Sequence, residues 1–160
     1  MANWTGKSRT NYVRVKDVDA LKSALEPFEV KVHVHPQAPD FVVFEGDTED
    51  GDFPTTACGD DDEELEFSFE DHVVPHLCEG QVLLTQVIGS EKLRYLSGYA
   101  SAYAWDGRVE HLGISDIHKI AAEKFGLDPR SIAQPIYQDL PERLDAPVEQ
   151  QTERTERMGG

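Results

Sequence analysis

Several stretches of the chain alternate apolar and polar side chains with the two-residue period that is typical of a half-buried β-strand. The clearest is residues 29–35, where Val30, Val32 and Val34 fall on one side and polar residues on the other. Asp106 and Gly107 form a dipeptide typical of a two-residue hairpin turn. Further strands are predicted at residues 10–16, 41–44, 64–70, 81–88, 98–105 and 108–112.

Two stretches instead space their apolar residues three and four apart, as an amphipathic helix does. Val18–Leu25 follows Asp17, which can act as an N-cap, and Asp116–Phe125 precedes Gly126, which can end a helix. A third helix is predicted at residues 72–78, with Asp71 as its cap. The element order indicates an α+β fold, an antiparallel sheet with two or three short helices packed on one face. The same element order is also consistent with a β-α-β-β unit that occurs twice, the second time in a longer form.

Length and composition predict a single folded domain over residues 10–126, because 160 residues with 39% hydrophobic content suit one core. Residues 1–9 are polar and are expected to be flexible. Residues 127–160 contain four prolines and end in a polar run, so a mostly extended or disordered arm is expected there. Without an apolar signal segment or a run of roughly 20 apolar residues, the chain is expected to be cytoplasmic and not membrane-bound.

Charge is distributed very unevenly along the chain. Between Val32 and Glu91 there are 16 acidic residues and no Lys or Arg, whereas the rest of the chain has 15 of each sign. The net charge of −16 therefore arises from this window. A surface of this sign repels the phosphates of nucleic acid and of anionic lipid, so direct binding to either is not expected.

The acidic window is the candidate site, and it is predicted to contact a protein partner. Carboxylates two residues apart on a strand recur about every 6.8 Å, close to two phosphate steps of about 3.4 Å along DNA. Such a row could imitate a nucleic-acid backbone; the alternative is a solvated surface that serves solubility alone. The predicted partner-binding residues are Asp47, Glu49, Asp50, Asp52, Asp60, Asp61, Asp62, Glu63, Glu64, Glu66, Glu70 and Asp71.

Catalytic and metal-binding alternatives have weaker support in the sequence. The segment around Gly51 departs from the EF-hand spacing, because its twelfth position is Ala57 instead of Glu. Cys58 and Cys78 are expected to be unpaired thiols. No catalytic or cofactor fingerprint occurs, so neither an enzyme nor a cofactor is predicted. A metal-dependent enzyme would have to use the histidines His33, His35, His72 and His76.

Two motifs resemble those of a group of small acidic proteins carried by plasmids, integrative elements and phages. The first is Ser-Arg-Thr-Asn-Tyr-Val-Arg-Val-Lys-Asp at residues 8–17, and the second is Glu-Lys-Leu-Arg-Tyr-Leu at residues 91–96. The resemblance implies a bacterial host cell and a mobile element. Acidic proteins of this size from that setting, such as anti-CRISPR and antirestriction DNA mimics, are often counter-defence factors, and the chain is similar to them in size and charge.

Two non-enzymatic hypotheses follow from these observations. In the first, the acidic face occupies the nucleic-acid-binding surface of a host defence protein or complex. In the second, the protein is an accessory factor that assembles, for example as a homodimer, through its sheet edge or through a face formed by Tyr99, Tyr103 and Trp105. Salt would weaken the first kind of contact and leave the second nearly unchanged.

Overall fold

The computed structural model describes residues 4–91 and 95–133. The described residues form an α+β fold dominated by antiparallel strands, which confirms the predicted class. The chain divides into two compact units, Met1–Ile114 and Ser115–Gly160. The first contains all the strands described below, and the second contains the last helix.

The secondary structure consists of nine strands and three α-helices within the described residues. The strands are β1 (Trp4–Thr10), β2 (Val13–Arg14), β3 (Val30–His35), β4 (Ala38–Gly46), β5 (Thr56–Cys58), β6 (Glu64–Glu66), β7 (Val82–Glu91), β8 (Tyr95–Ala104) and β9 (Val109–Gly113). The helices are α1 (Val18–Leu25), α2 (Phe69–His72) and α3 (Asp116–Phe125). Single turns of 3-10 helix occur at Val74–His76 and Pro129–Ser131.

The main sheet has seven antiparallel strands, and the N-terminal segment lies in its middle. β1 pairs with β7 on one side and with β4 on the other, and β2 continues along the same edge of β4. β3 pairs with the opposite edge of β4, while β8 and β9 extend the sheet beyond β7. β5 and β6 form a separate two-stranded sheet.

The hydrophobic core lies between one face of this sheet and the layer formed by α1, α2 and the β5–β6 hairpin. α1 begins at its N-cap Asp17, whose side chain accepts the backbone N–H of Ala20 at 3.0 Å, and buries Leu21 and Leu25. The sheet contributes every second residue of β7, including Leu83 and Val87. Full burial of an aliphatic side chain stabilises the fold by about 1.5–3 kcal/mol, so this layer is firmly attached to the sheet.

The N-terminus is wrongly predicted as a flexible segment preceding a first strand at residues 10–16. Strand β1 begins at Trp4, and its inward-facing residues are Gly6, Ser8 and Thr10. Their side chains are small or polar and are satisfied by hydrogen bonds; for example, the Thr10 hydroxyl accepts the N–H of Phe44 at 2.9 Å. The strand therefore lacks the apolar alternation that identifies most strands.

The acidic strand predicted at residues 64–70 ends earlier than expected. β6 stops at Glu66, and Ser68 caps α2 because its hydroxyl accepts the N–H of Asp71 at 3.1 Å. Asp71 therefore lies inside α2, so the prediction that it caps a helix over residues 72–78 is wrong. Pro75 falls in the first turn of the following 3-10 segment, where its missing N–H is tolerated.

The remaining organisation differs from the sequence expectations in two places. β6 pairs with β5 outside the main sheet, so the second β-α-β-β unit does not repeat the placement of the first. α3 has the predicted bounds and ends at Gly126 in the left-handed conformation, but it belongs to the second unit. The predicted arm lies outside the described residues from residue 134 onward. None of the helices in the described part of the chain is long and apolar enough to cross a membrane.

Candidate acidic interaction site

The twelve predicted carboxylates come from three consecutive segments, which are the β4–β5 loop, the β5–β6 hairpin and α2. Asp52 is partly buried and the other eleven are exposed. Asp47, Glu49, Asp50 and Asp52 lie in the β4–β5 loop; Asp60, Asp61, Asp62 and Glu63 form the β5–β6 turn; Glu64 and Glu66 lie on β6; and Glu70 and Asp71 lie on α2. We call this set the acidic face.

The β5–β6 hairpin carries half of the acidic face. Ala57 pairs with Leu65, and both pack toward the core, so the alternate residues Glu64 and Glu66 point outward. The turn is closed by a hydrogen bond of 2.8 Å from the Gly59 N–H to the carbonyl of Glu63. Carboxylates thus project from a hydrogen-bonded support. Strand spacing applies only to Glu64 and Glu66, so the predicted single row of carboxylates is wrong.

The β4–β5 loop is fastened to β1 through backbone groups. The N–H of Gly6 donates to the carbonyl of Asp50 at 2.9 Å, and the Ser8 hydroxyl donates to the carbonyl of Gly51 at 2.9 Å. Gly51 has a φ of 78°, a left-handed conformation that glycine adopts without strain. The acidic side chains of this loop therefore stand on a backbone that the sheet holds in position.

An aromatic cluster supports the acidic face from below. The ring of Phe69 lies 4.9 Å from that of Phe53 and 5.1 Å from that of Phe67, in edge-to-face contacts. Phe28 lies 5.0 Å from Phe67, and His72 stacks on Phe67 at 5.6 Å. Contacts of this geometry contribute about 0.5–1.5 kcal/mol each beyond burial. The cluster joins loop, hairpin and α2 into one layer.

Two shallow depressions adjoin on this side of the molecule. One of about 380 Å³ is lined by residues including Asp50 and Asp52, and the other, of about 560 Å³, by residues including Asp62 and Glu64. Both are also lined by Glu29, an exposed residue outside the acidic window. Sequence reasoning missed Glu29 because it is brought to the acidic face only by the fold. Its one sequence signal is that it directly precedes the strongly alternating segment of β3.

The acidic face is almost uncompensated by positive charge. Of its twelve carboxylates, only Asp47 has a cationic group within 4.0 Å among the described residues, the Lys31 ammonium at 2.7 Å. Arg14 and Arg108 pair instead with Asp40 and Asp106, outside this set. The other carboxylates of the acidic face are therefore solvated by water and not neutralised by ion pairs among the described residues. They remain available to bind a positively charged partner.

Asp52, like Asp47, is tied to the sheet through its side chain. It accepts the N–H of Phe53 at 2.8 Å, and the Tyr99 hydroxyl donates to the same oxygen at 3.4 Å. Burial, together with the negative charge of Asp52, raises the pKa of Tyr99 to about 12. Tyr99 therefore remains a neutral hydrogen-bond donor at physiological pH.

The histidines of the enzyme alternative do not come together. His33 lies 3.3 Å from Glu45, and His35 packs edge-on against Tyr12. The His72 ring stacks within the aromatic cluster, with Nδ1 3.0 Å from the carbonyl of Ser68. No group of three or more His, Cys, Asp or Glu side chains suited to a metal ion occurs in the part of the chain that the structure describes. Cys58 and Cys78 are both unpaired thiols, as predicted, and Cys58 is exposed on the hairpin.

The motif at residues 8–17 has structural roles throughout. Asn11, at the break between β1 and β2, accepts the N–H of Leu84 at 2.7 Å and donates to the carbonyl of Val82 at 3.0 Å. Lys16 donates to the carbonyl of Pro75 at 3.2 Å, and Asp17 caps α1. These contacts tie the N-terminal segment to β7 and to the helical layer. The motif therefore supports the fold, and through Ser8 it also holds the β4–β5 loop of the acidic face.

The aromatic contact face predicted from Tyr99, Tyr103 and Trp105 is only partly exposed. Tyr103 and Trp105 are partly buried against the core, and the Tyr103 ring lies 5.5 Å from that of Phe69. Tyr99, by contrast, is 47% exposed. Tyr99 and Tyr103 are cross-strand from Val87 and Leu83, so they lie on the covered side of the sheet. Assembly through this face stays a prediction.

The fold and the site together define a class: an α+β domain with a folded, uncompensated acidic face on the helical side of an antiparallel sheet. In the comparison with known proteins, no family model, curated protein or solved structure matches the chain. The functional argument therefore rests on the acidic face itself.

Proposed function

We propose that the protein is a non-enzymatic counter-defence inhibitor of a mobile element. Its acidic face occupies the nucleic-acid-binding surface of a host defence protein or complex, of the restriction or CRISPR type, and excludes DNA or guide RNA from it. The observation that carries this proposal is the exposure of eleven of the twelve carboxylates, of which one alone has a cationic partner among the described residues.

The fixed arrangement of the acidic face favours a nucleic-acid decoy over a surface that only keeps the protein soluble. A flexible acidic tail is enough to keep a protein soluble, whereas here loop, hairpin and helix are joined by hydrogen bonds and aromatic contacts. A fixed array of charges loses little conformational entropy on binding, and preorganisation of this kind increases affinity. Nucleic-acid-binding surfaces are rich in Lys and Arg, which such an array attracts at a rate that falls with salt.

The test is displacement of labelled nucleic acid from purified defence complexes, measured by fluorescence anisotropy. The probes are a restriction endonuclease on its DNA duplex and a CRISPR effector on guide RNA or target DNA. We expect the protein to displace the nucleic acid from one of them, and displacement to weaken as salt is raised from about 0.1 to 0.5 M, where screening acts within a few Å.

A pair of charge-matched variants separates the acidic face from total charge. The first reverses Asp61, Glu64 and Glu66 to Lys; the second reverses Asp19, Glu79 and Glu123, which are exposed elsewhere. Both variants have the same net charge, and exposed substitutions change stability by about 0.5 kcal/mol or less. We expect only the first to lose displacement. The proposal is rejected if both variants lose displacement equally. It is also rejected if the unmodified protein displaces nucleic acid from none of the complexes.

A further inference from the structure

The face of the main sheet opposite the acidic face carries a set of exposed aliphatic side chains. On β7, the residues that alternate with buried Leu83 and Val87 point to this side, and they include Leu84 and Ile88. Ile88 is cross-strand from Gly98, and a methyl group of Ile114 lies 3.1 Å from where a Gly98 Cβ would stand. The set, which we call the open face, consists of Val82, Leu84, Ile88, Leu96, Leu112 and Ile114.

The open face is large for a monomer. Its six side chains are between 40% and 68% exposed. Scaled to the ordinary surface of Val, Leu and Ile, this leaves roughly 600 Å² of apolar surface in water, the upper end of the range for a single chain. A standard interface buries about 800 Å² on each partner, so the open face with its rim is of the right size.

The shape of the open face is suited to packing against the same face of a second copy. β8 contributes Ala100 and Ala102, which lie between larger side chains on β7 and β9, such as Leu84 and Leu112. A depression of about 370 Å³ follows these small residues. Sheets pack face to face at about 10 Å when side chains of one fill the spaces of the other, and here each copy offers both ridges and a furrow.

Charge bears on which faces of two copies can meet. Two chains of net charge −16 repel each other in any contact that brings their acidic faces together. The open side of the sheet carries charges of both signs instead. Exposed Lys7 and Arg9 of β1 lie on the side of Ile88, and exposed Glu110 of β9 lies on the side of Leu112. Contact through the open faces therefore keeps the two acidic faces apart.

We infer that the protein forms a twofold homodimer in which the open faces of two copies pack against each other. The dimer presents two acidic faces on opposite sides. Bivalent binding by these faces rests on the proposed function, whereas the dimer itself does not. Burial of apolar surface drives the association, and repulsion between the acidic layers opposes it, so added salt strengthens the dimer.

Sedimentation velocity of the full chain tests this inference, from about 1 to 200 μM and at about 0.1 and 0.5 M NaCl. We expect a dimer whose dissociation constant falls as salt rises. The variant Leu84→Glu/Leu112→Glu should raise that constant at least about tenfold, because it buries charge in the contact. The matched control, Ala20→Glu/Thr55→Glu, adds the same charge at exposed positions of α1 and the β4–β5 loop and should leave the dimer intact.

Several outcomes overturn the inference. They are a monomer at every concentration, a dimer that survives Leu84→Glu/Leu112→Glu, and a dimer that Ala20→Glu/Thr55→Glu weakens as much as that variant does. Circular dichroism checks the fold of each variant, and the single change Leu112→Gln replaces the double variant if that one unfolds. Displacement of nucleic acid by a monomeric, folded variant distinguishes failure of the dimer from failure of the proposed function.

Discussion

Replacement of Phe69 tests whether the aromatic cluster attaches the acidic face to the sheet. The Phe69 side chain is 7% exposed and contacts rings from the loop, the hairpin and β8. Phe69→Ala removes about 140 Å² of buried apolar surface, which corresponds to roughly 3.5 kcal/mol at about 25 cal/mol per Å². Substitutions of this type in protein cores cost about 3–5 kcal/mol, because a cavity remains. We therefore expect the free energy of unfolding to fall by about 3.5 kcal/mol.

The assay is urea unfolding followed by circular dichroism. The loss corresponds to a decrease in Tm of roughly 10 °C for a chain of this length. Phe125→Ala is the control, because that side chain is 70% exposed and its removal should change the free energy of unfolding by about 0.5 kcal/mol or less. Phe69→Leu keeps most of the volume and should cost about 1 kcal/mol, so it remains measurable if the alanine variant is unfolded.

Hydrogen exchange gives a local readout of the same substitution. The amides of Gly59 and Phe67 close the β5–β6 hairpin by bonding to the carbonyls of Glu63 and Thr55. Their exchange should accelerate in Phe69→Leu more than exchange at the centre of β7. A cost below about 1 kcal/mol for Phe69→Ala, with unchanged exchange in the hairpin, would refute the reasoning, because a ring in a packed core cannot be removed so cheaply.

Two further predictions concern the β4–β5 loop. Gly51→Ala should cost at least about 2 kcal/mol in urea unfolding, because φ is 78° and the new methyl group would collide with the carbonyl of Gly6, whereas Gly80→Ala, with φ of 83° and open space, should cost about 1 kcal/mol. Equal costs would show that the loop is not packed on β1. The pKa of Tyr99 is raised to about 12 from 10.0, so the stability that depends on its neutral form is complete below pH 10 and is lost as pH rises toward 12. Tyr99→Phe should flatten the decline in the free energy of unfolding between pH 10 and 12; an unchanged slope would contradict the assignment.

Local sequence determined the elements whose signals are short-range. α1 begins after Asp17 and α3 ends before Gly126, as predicted, because capping and left-handed glycine depend on a few neighbouring residues. The hairpin at Asp106 and Gly107 joins β8 and β9 for the same reason. The concentration of charge in one window was also visible from sequence, because composition does not depend on folding.

Tertiary structure alone decided which surfaces those residues form. β1 is a central strand because Ser8 and Thr10 find hydrogen-bond partners across the sheet, which no local pattern can show. Glu29 lines both depressions beside the acidic face, and Tyr103 is partly buried against the core, because sheet register and long-range packing decide which side of the molecule each residue reaches. The exposure of the open face is also decided by tertiary structure. Its apolar residues alternate like those of any strand, and only the placement of the helical layer decides which side is covered.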